Sequence, residues 1–269
     1  MKNLIVLLSV ASIAFSCFSS QGLPVKQVKN NAEKPAPQKK RDTDIAPYKT
    51  STKSDLDHSE WNTLLKKYVT KNGDVNYKGF KNESEKLNTY VSYLEHQIPT
   101  EAWSVNKQLA YFINVYNANT IKLIIDNYPL KSIKDISSPW KKDRFKIGDK
   151  DFSLAGLENG ILRTMNEPRI HFAINCASTS CPKLLSEAYT EANVLELMEK
   201  ATKEFINNSA KNELSSNKVK ISEIFKWYKS DFTENGSVID YINLYSTIKI
   251  NAETSVDYID YDWSLNAQN

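Results

Sequence analysis

The chain has 269 residues, a quarter of them charged, and a formal net charge of +3. That small excess sits in residues 17–50, which hold seven Lys or Arg against three acids, leaving 27 basic against 29 acidic residues from 51 onward. The C-terminal part is thus nearly neutral and offers no electrostatic footprint for nucleic acid. Seven glycines form neither G-x-G-x-x-G nor a P-loop, and no G-x-S-x-G or H-E-x-x-H occurs. No cofactor is therefore expected.

Lys2 followed by the apolar run Leu4 to Phe15 has the layout of a signal peptide over 1–16, too short to cross a bilayer as a helix. Ser16-Cys17 resembles the lipobox of bacterial lipoproteins, although Phe15 is bulkier than the usual residue. The alternative is an ordinary cleaved signal with an incidental Cys17. The first reading makes Cys17 the lipidation site. It predicts a membrane-anchored protein of a bacterial cell envelope, facing the periplasm or the exterior. Residues 17–50, rich in Gln, Lys, Asn and Pro, bury too little to offset their ordering entropy and read as a disordered tether. Residues 51–269 are enough for one globular domain.

Within it, Trp61, Leu64, Leu65 and Tyr68 at helical spacing behind Ser59 predict a helix over 59–70, ended by Asn72-Gly73. Leu87, Tyr90, Val91 and Leu94 predict a second helix closed by Pro99. The longest, about 105–127, has an apolar face from Leu109 to Ile124 and a possible break at Asn117-Ala118-Asn119. Gly148-Asp149 between two apolar runs signals a hairpin over 144–154, after which Ser153 caps a helix through Leu162. A strand is expected around 170–176, a helix over 190–208 and a strand at 218–221. A short helix at 224–228, a helix at 238–245 and a last strand at 256–261 follow. Helices outnumber strands without β-α-β alternation, which predicts an α+β fold, helix-rich around a small antiparallel sheet.

RIHFAINCASTSCP (169–182) concentrates the chemistry. Strand alternation would put His171, Ala173 and Asn175 on one face and Phe172, Ile174 and Cys176 on the other. Four readings stay open. Cys176 or Cys181 is a nucleophile activated by His171, with Asn175 or loop N–H groups stabilising an oxyanion. Alternatively the two cysteines form a structural disulfide, as an oxidising compartment would permit. A Cys₂His metal site lacks a fourth ligand, so no metal is assigned. The plainest reading is core packing. Asn114 and Asn117 adjoin the apolar stripe of the long helix, as buried glue or as donors lining a pocket. Glu158 is placed to meet Arg163, Arg169 or His171. The aromatics Phe225, Trp227, Tyr228, Tyr258, Tyr261 and Trp263 are read as C-terminal core, with a carbohydrate or peptide platform as the sharper alternative.

The blocks LAYFINVYNANTIKLI (109–124), SLAGLENGILR (153–163), EPRIHFAINCASTSCPKL (167–184), ISEIFKWYKSDF (221–232) and VDYIDYDWSLN (256–266) resemble, in order, those of domain of unknown function 547. With Asp74-Val75-Asn76-Tyr77 as the entry block, the resemblance covers about 75–266. It implies a portable module, with motif positions at Asn114, Tyr116, Asn117, Glu158, Arg163, His171, Asn175, Cys176, Ser178, Ser180, Cys181 and Pro182; Tyr111 stands where the family often has tryptophan. The family carries no settled activity. A remote likeness to papain-like and transglutaminase-like folds departs at the helix, which carries asparagines where those enzymes place cysteine. The combined expectation is a polar pocket taking a small-molecule or peptide-like ligand. Its catalytic candidates are His171, Cys176, Cys181 and Glu158. Its binding candidates are Asn114, Asn117, Asn175, Ser178, Ser180 and Arg169, and its chemistry is thiol-dependent hydrolysis or acyl transfer. The alternative is a non-enzymatic envelope protein stapled by Cys176–Cys181.

Overall fold

The computed structural model describes residues 17–18, 22–28 and 56–268; the expected signal peptide and most of the expected tether lie outside them. Near the N-terminus, β1 (Cys17–Phe18) pairs antiparallel with β2 (Pro24–Val25). Residues 22–28 correct the tether expectation, because they dock on the domain. Leu23 and Val25 are buried in its core. The Lys26 amide donates to Gln108 Oε1 (2.9 Å) and the Val28 amide to the Met165 carbonyl (2.8 Å). Two aliphatic side chains and two captured backbone donors offset the ordering cost of seven residues that composition alone marks as unfolded.

Helices α1 (Ser59–Tyr68), α2 (Tyr77–Asn82) and α3 (Ser84–Glu95) surround α4 (Val105–Asp126). Ser59 is the first helical residue of α1 rather than its cap, and α2, unanticipated, starts where Asn76 accepts from the Gly79 amide. Helix α4 is buried on nearly every side and runs unbroken through Asn117 and Asn119. Asparagine interrupts a helix by competing for local backbone groups. Here Asn117 spends its amide on another segment, and Asn119 returns its own to the Val115 carbonyl four residues back.

The hairpin forms as expected, from β3 (Phe145–Ile147) and β4 (Lys150–Phe152), with Gly148 at φ +63° in the turn. Ser153 accepts from the Gly156 amide and caps α5 (Leu154–Leu157). A π turn follows at Glu158–Leu162, then a 3-10 turn at Arg163–Met165 closed by Asn166 at φ +57°. Such π turns cluster at functional sites because they re-aim a side chain; the one re-aimed here begins with Glu158.

The strand expected at 170–176 is absent. Pro168–Phe172 is a 3-10 helix, and the rest is irregular loop. Pro168 presets the first helical φ, and the Glu167 side chain accepts from the Arg169 amide. The apolar residues serve two cores rather than one sheet face. Ile170, Ala173 and Ile174 join the cluster around α4, whereas Phe172 joins a second one. That cluster is built from α6 (Val194–Ile206), β6 (Val219–Ser222), α7 (Ile224–Trp227), α8 (Lys229–Phe232) and α9 (Val238–Tyr245).

The fold is α+β, but organised around a helix. The largest sheet has three strands, β5 (Glu213–Leu214), β6 and β7 (Val256–Ile259). It is mixed rather than antiparallel, because β7 joins β6 in parallel. Residues 260–268 then return across the cysteine loop: the Thr179 amide donates to the Ser264 carbonyl (2.7 Å) and the Ser180 amide to the Asp262 carbonyl (3.1 Å). The chemical segment therefore sits on the seam between two cores, clamped by the chain's last strand-like run.

Candidate active site

Ala177 at φ +61° opens the turn after Asn175-Cys176, a left-handed conformation costly for a residue with a Cβ. The loop over-determines it. Asn175 Nδ2 donates to the Pro182 carbonyl (2.7 Å), and its Oδ1 accepts from the Ala177 amide (2.8 Å). Behind it, Asn117 Nδ2 donates to the Ala173 carbonyl (3.0 Å) while its Oδ1 takes the Asn175 amide (2.9 Å). Asn114 does the same for Tyr189, at 2.7 Å and 3.3 Å. All three asparagines are buried and bonded through both ends of their amides. They are internal glue that shapes the loop, not donors offered to a ligand, and none of them lines the cavity described below.

The loop brings the two thiols together. Both cysteines are free, and their sulfurs lie 2.8 Å apart, in contact without a bond. Cys176 Sγ is also 3.0 Å from Ser178 Oγ and 3.3 Å from the Tyr261 hydroxyl. Hydrogen bonds led by the Cys181 thiol, then Ser178 and Tyr261, outweigh burial and lower Cys176 to about 7. Burial and the neighbouring Cys176 sulfur push Cys181 well above the ordinary thiol range. Cys176, the partly exposed one, is thus the sulfur that ionises first, while the buried Cys181 stays a thiol.

Cys176 and Cys181 stand on the wall of a cavity of about 220 Å³ with Tyr116, Glu158, His171 and a tryptophan-rich rim. No Lys or Arg lines it. Glu158 Oε2 accepts from the Tyr116 hydroxyl (3.3 Å), while its Oε1, equally buried, has no partner. His171 is not paired with either sulfur. Its Nε2 faces Asp231 Oδ2 at 2.8 Å, its ring stacks on Tyr228 with centroids 4.0 Å apart, and its Nδ1 is without a partner. Burial raises Asp231, but a two-point grip by Arg163, both contacts 2.6 Å, and the His171 bond together hold it below the usual carboxylate range. Asp231 is therefore the acceptor, and His171 carries its proton on Nε2.

The remaining sequence candidates disperse. Glu158 meets Tyr116 rather than Arg163 or Arg169. Arg169 faces away, paired with Glu167 (2.6 Å) and Glu199 (3.2 Å). Ser180 Oγ accepts from the Asp262 amide (2.9 Å) and closes the clamp. Among the described residues no cluster of three His, Cys, Asp or Glu side chains suits a metal ion. A larger cavity of about 860 Å³ lies across the loop and shares Cys181. Of its lysines, Lys183 pairs with Glu204 and Lys211 with the Thr179 carbonyl. Asp231, Tyr228 and Tyr261 escaped the site reading. Tyr228 and Tyr261 had been assigned to aromatic core, and no local spacing ties Asp231 to His171, 60 positions away.

No curated protein and no solved structure matches the chain. Residues 100–206, which hold α4, the π turn, His171 and both cysteines, match the family described as "Protein of unknown function, DUF547". That segment supports the resemblance to domain of unknown function 547.

Proposed function

We propose that this chain is a thiol-dependent module of the bacterial cell envelope. In it, Cys176 is the attacking thiolate and Cys181 the resolving thiol of a thiol–disulfide exchange site. The observation that carries this is the sulfur pair itself: two free thiols in contact, of opposite acidity, the more acidic one exposed to a cavity. The balance of the reaction is simple. The Cys176 thiolate attacks a substrate disulfide, forms a mixed disulfide and releases one substrate thiolate. Cys181 then attacks Cys176, closing the intramolecular disulfide and releasing the second. The protein loses two electrons; the one thiol proton, on Cys181, goes to one of the two leaving groups, and the other departs as a thiolate or takes its proton from solvent. The disulfide expected from the sequence becomes one half of a working couple.

Carbonyl chemistry is less well served. An oxyanion needs free backbone donors, yet the Cys176 amide is spent on Cys181 Sγ (2.9 Å) and those of Ala177, Thr179, Ser180 and Cys181 are bonded to protein acceptors. One observation keeps acyl transfer as the second reading: His171 Nδ1, oriented by Asp231, and Glu158 Oε1 open on the same cavity.

Supporting the envelope location are the signal-like 1–16 stretch and the Ser16-Cys17 junction. A Cys17→Ser variant is expected to leave the membrane fraction on expression in a bacterial host.

Alkylation of Cys176 by iodoacetamide is expected to rise with a midpoint near pH 7, and Cys181→Ala should move that midpoint upward by removing the first-ranked donor. With oxidised glutathione the native protein should reach an intramolecular disulfide, whereas Cys181→Ala accumulates a mixed disulfide at Cys176, read by mass. A midpoint at or above 8.5, the ordinary thiol value, or no trapped adduct, would overturn exchange. Turnover of a thioester that survives Cys181→Ala but not His171→Ala would favour the second reading.

A further inference from the structure

The cavity beside Cys176 is walled by aromatic rings around a buried carboxylate. Trp140, Trp227, Trp263, Tyr116 and Tyr261 line it together with Glu158, and no cationic side chain does. The rings form one connected array: Trp227–Trp263 centroids are 5.7 Å apart, Trp140–Trp263 5.4 Å and Trp227–Tyr261 4.8 Å. Trp227 is exposed, and Ile174 and Ile224 line the cavity beside the rings. Aromatic faces carry negative potential and attract cations, most strongly when a carboxylate lies behind them and water is excluded.

Two polar atoms in the same walls are without partners. Glu158 Oε1 is buried, although its twin Oε2 accepts from Tyr116. His171 Nδ1 is buried as well, and in the tautomer whose Nε2 donates to Asp231 it is an acceptor. Buried acceptors without donors are rare in folded proteins and call for a donor from elsewhere. Both are acceptors, so the missing group is a donor.

We infer that this cavity recognises a protonated amine, and that the ligand is a short aminoalkyl thiol or disulfide whose ammonium seats among the tryptophans against Glu158 and His171 while its sulfur meets Cys176. The assignment names the substrate class of the exchange site and rests on that reading for the sulfur; the ammonium site stands on the rings and acceptors alone. An ammonium bearing N–H groups satisfies both acceptors. A quaternary ammonium meets the rings but leaves both acceptors unpaired, so it should bind more weakly. Glu158 and the tryptophans set specificity here, and Cys176 alone does the bond exchange.

The test compares three symmetric disulfides on the full chain: cystamine, bis(2-hydroxyethyl) disulfide and 3,3′-dithiodipropionate, which are cationic, neutral and anionic. Exchange rates at Cys176 are normalised to those with free cysteine. The cationic disulfide should react at least tenfold faster than the neutral one, and the anionic one slowest. Glu158→Gln should abolish the cationic preference; Trp227→Ala, at an exposed position that threatens folding little, should weaken it several-fold. Equal normalised rates for the three disulfides, or a preference that survives Glu158→Gln, would overturn the inference and leave exchange itself standing.

A second arm does not depend on sulfur chemistry. In the Cys176→Ser variant, tryptophan fluorescence is titrated with butylammonium, tetramethylammonium and 1-butanol. Saturable binding in that order of affinity supports the ammonium site even if no disulfide reacts. Absence of saturable butylammonium binding, or butanol binding as tightly, sinks it.

Discussion

Two histidines of this chain are buried under opposite constraints. His171 keeps a carboxylate partner. His58 has only the Tyr90 hydroxyl, 2.8 Å from its Nδ1. Burial lowers His58 to about 4, against a partial pull upward from Asp57. It therefore folds neutral. Between pH 6.5 and 4 the unfolded chain binds a proton that the folded chain refuses, so stability is complete above 6.5 and drains as pH falls through that window. The loss from this residue should reach about 3 kcal/mol. Urea unfolding at pH 7 and pH 4.5 should show most of that loss in the native chain and much less in His58→Gln; parallel losses in both proteins would place the acid sensitivity elsewhere.

At the scale of an element, α4 turns a sequence liability into the scaffold of the site. A 22-residue helix buried on nearly every side has no solvent face for polar residues, so Asn114 and Asn117 are tolerable only because loop backbone satisfies them. Asn117 ties the Ala173 carbonyl and the Asn175 amide, the two backbone groups that lead directly into Cys176. Asn117→Ala leaves both backbone groups buried and bare, at an expected cost of about 2–4 kcal/mol. Differential scanning calorimetry should show a melting point several degrees lower, and the iodoacetamide midpoint of Cys176 should rise as the loop relaxes away from Ser178 and Tyr261. A neutral substitution would mean that the loop holds its geometry without the helix.

For the molecule as a whole, the N-terminal run 22–28 and the C-terminal run 260–268 are both strapped onto the domain, far in sequence from what they touch. Under the lipid-anchor proposal, docking at residue 22 leaves only a few residues between the lipid at Cys17 and the folded surface, where a tether of about 30 residues would let the domain roam. Leu23→Asp puts a charge where a buried aliphatic belongs and should detach the strap. Hydrogen exchange is expected to show the Lys26 and Val28 amides losing protection while α4 amides keep theirs. Unchanged protection at those two amides would show that Leu23 does not hold the strap.

Helical periodicity, the hairpin glycine and the Ser153 cap are local matters of spacing and backbone chemistry, and the residues alone were enough to locate α1, α3, α4, α6, α9 and the β3–β4 turn. The 169–182 segment stood out in the residues themselves, and His171, Cys176 and Cys181 line one cavity. What proximity across the chain decided could not be found that way. Ile170, Phe172 and Ile174 alternate like a strand but divide between two cores, which forces a 3-10 turn instead. Asp231 and Tyr261 reach His171 and Cys176 only through packing of the C-terminal elements over the loop. Short-range patterning governs which elements form and puts Cys181 and Ser178 beside Cys176, whereas the Tyr261 contact, the Asp231 partner of His171 and the aromatic character of the cavity depend on distant segments.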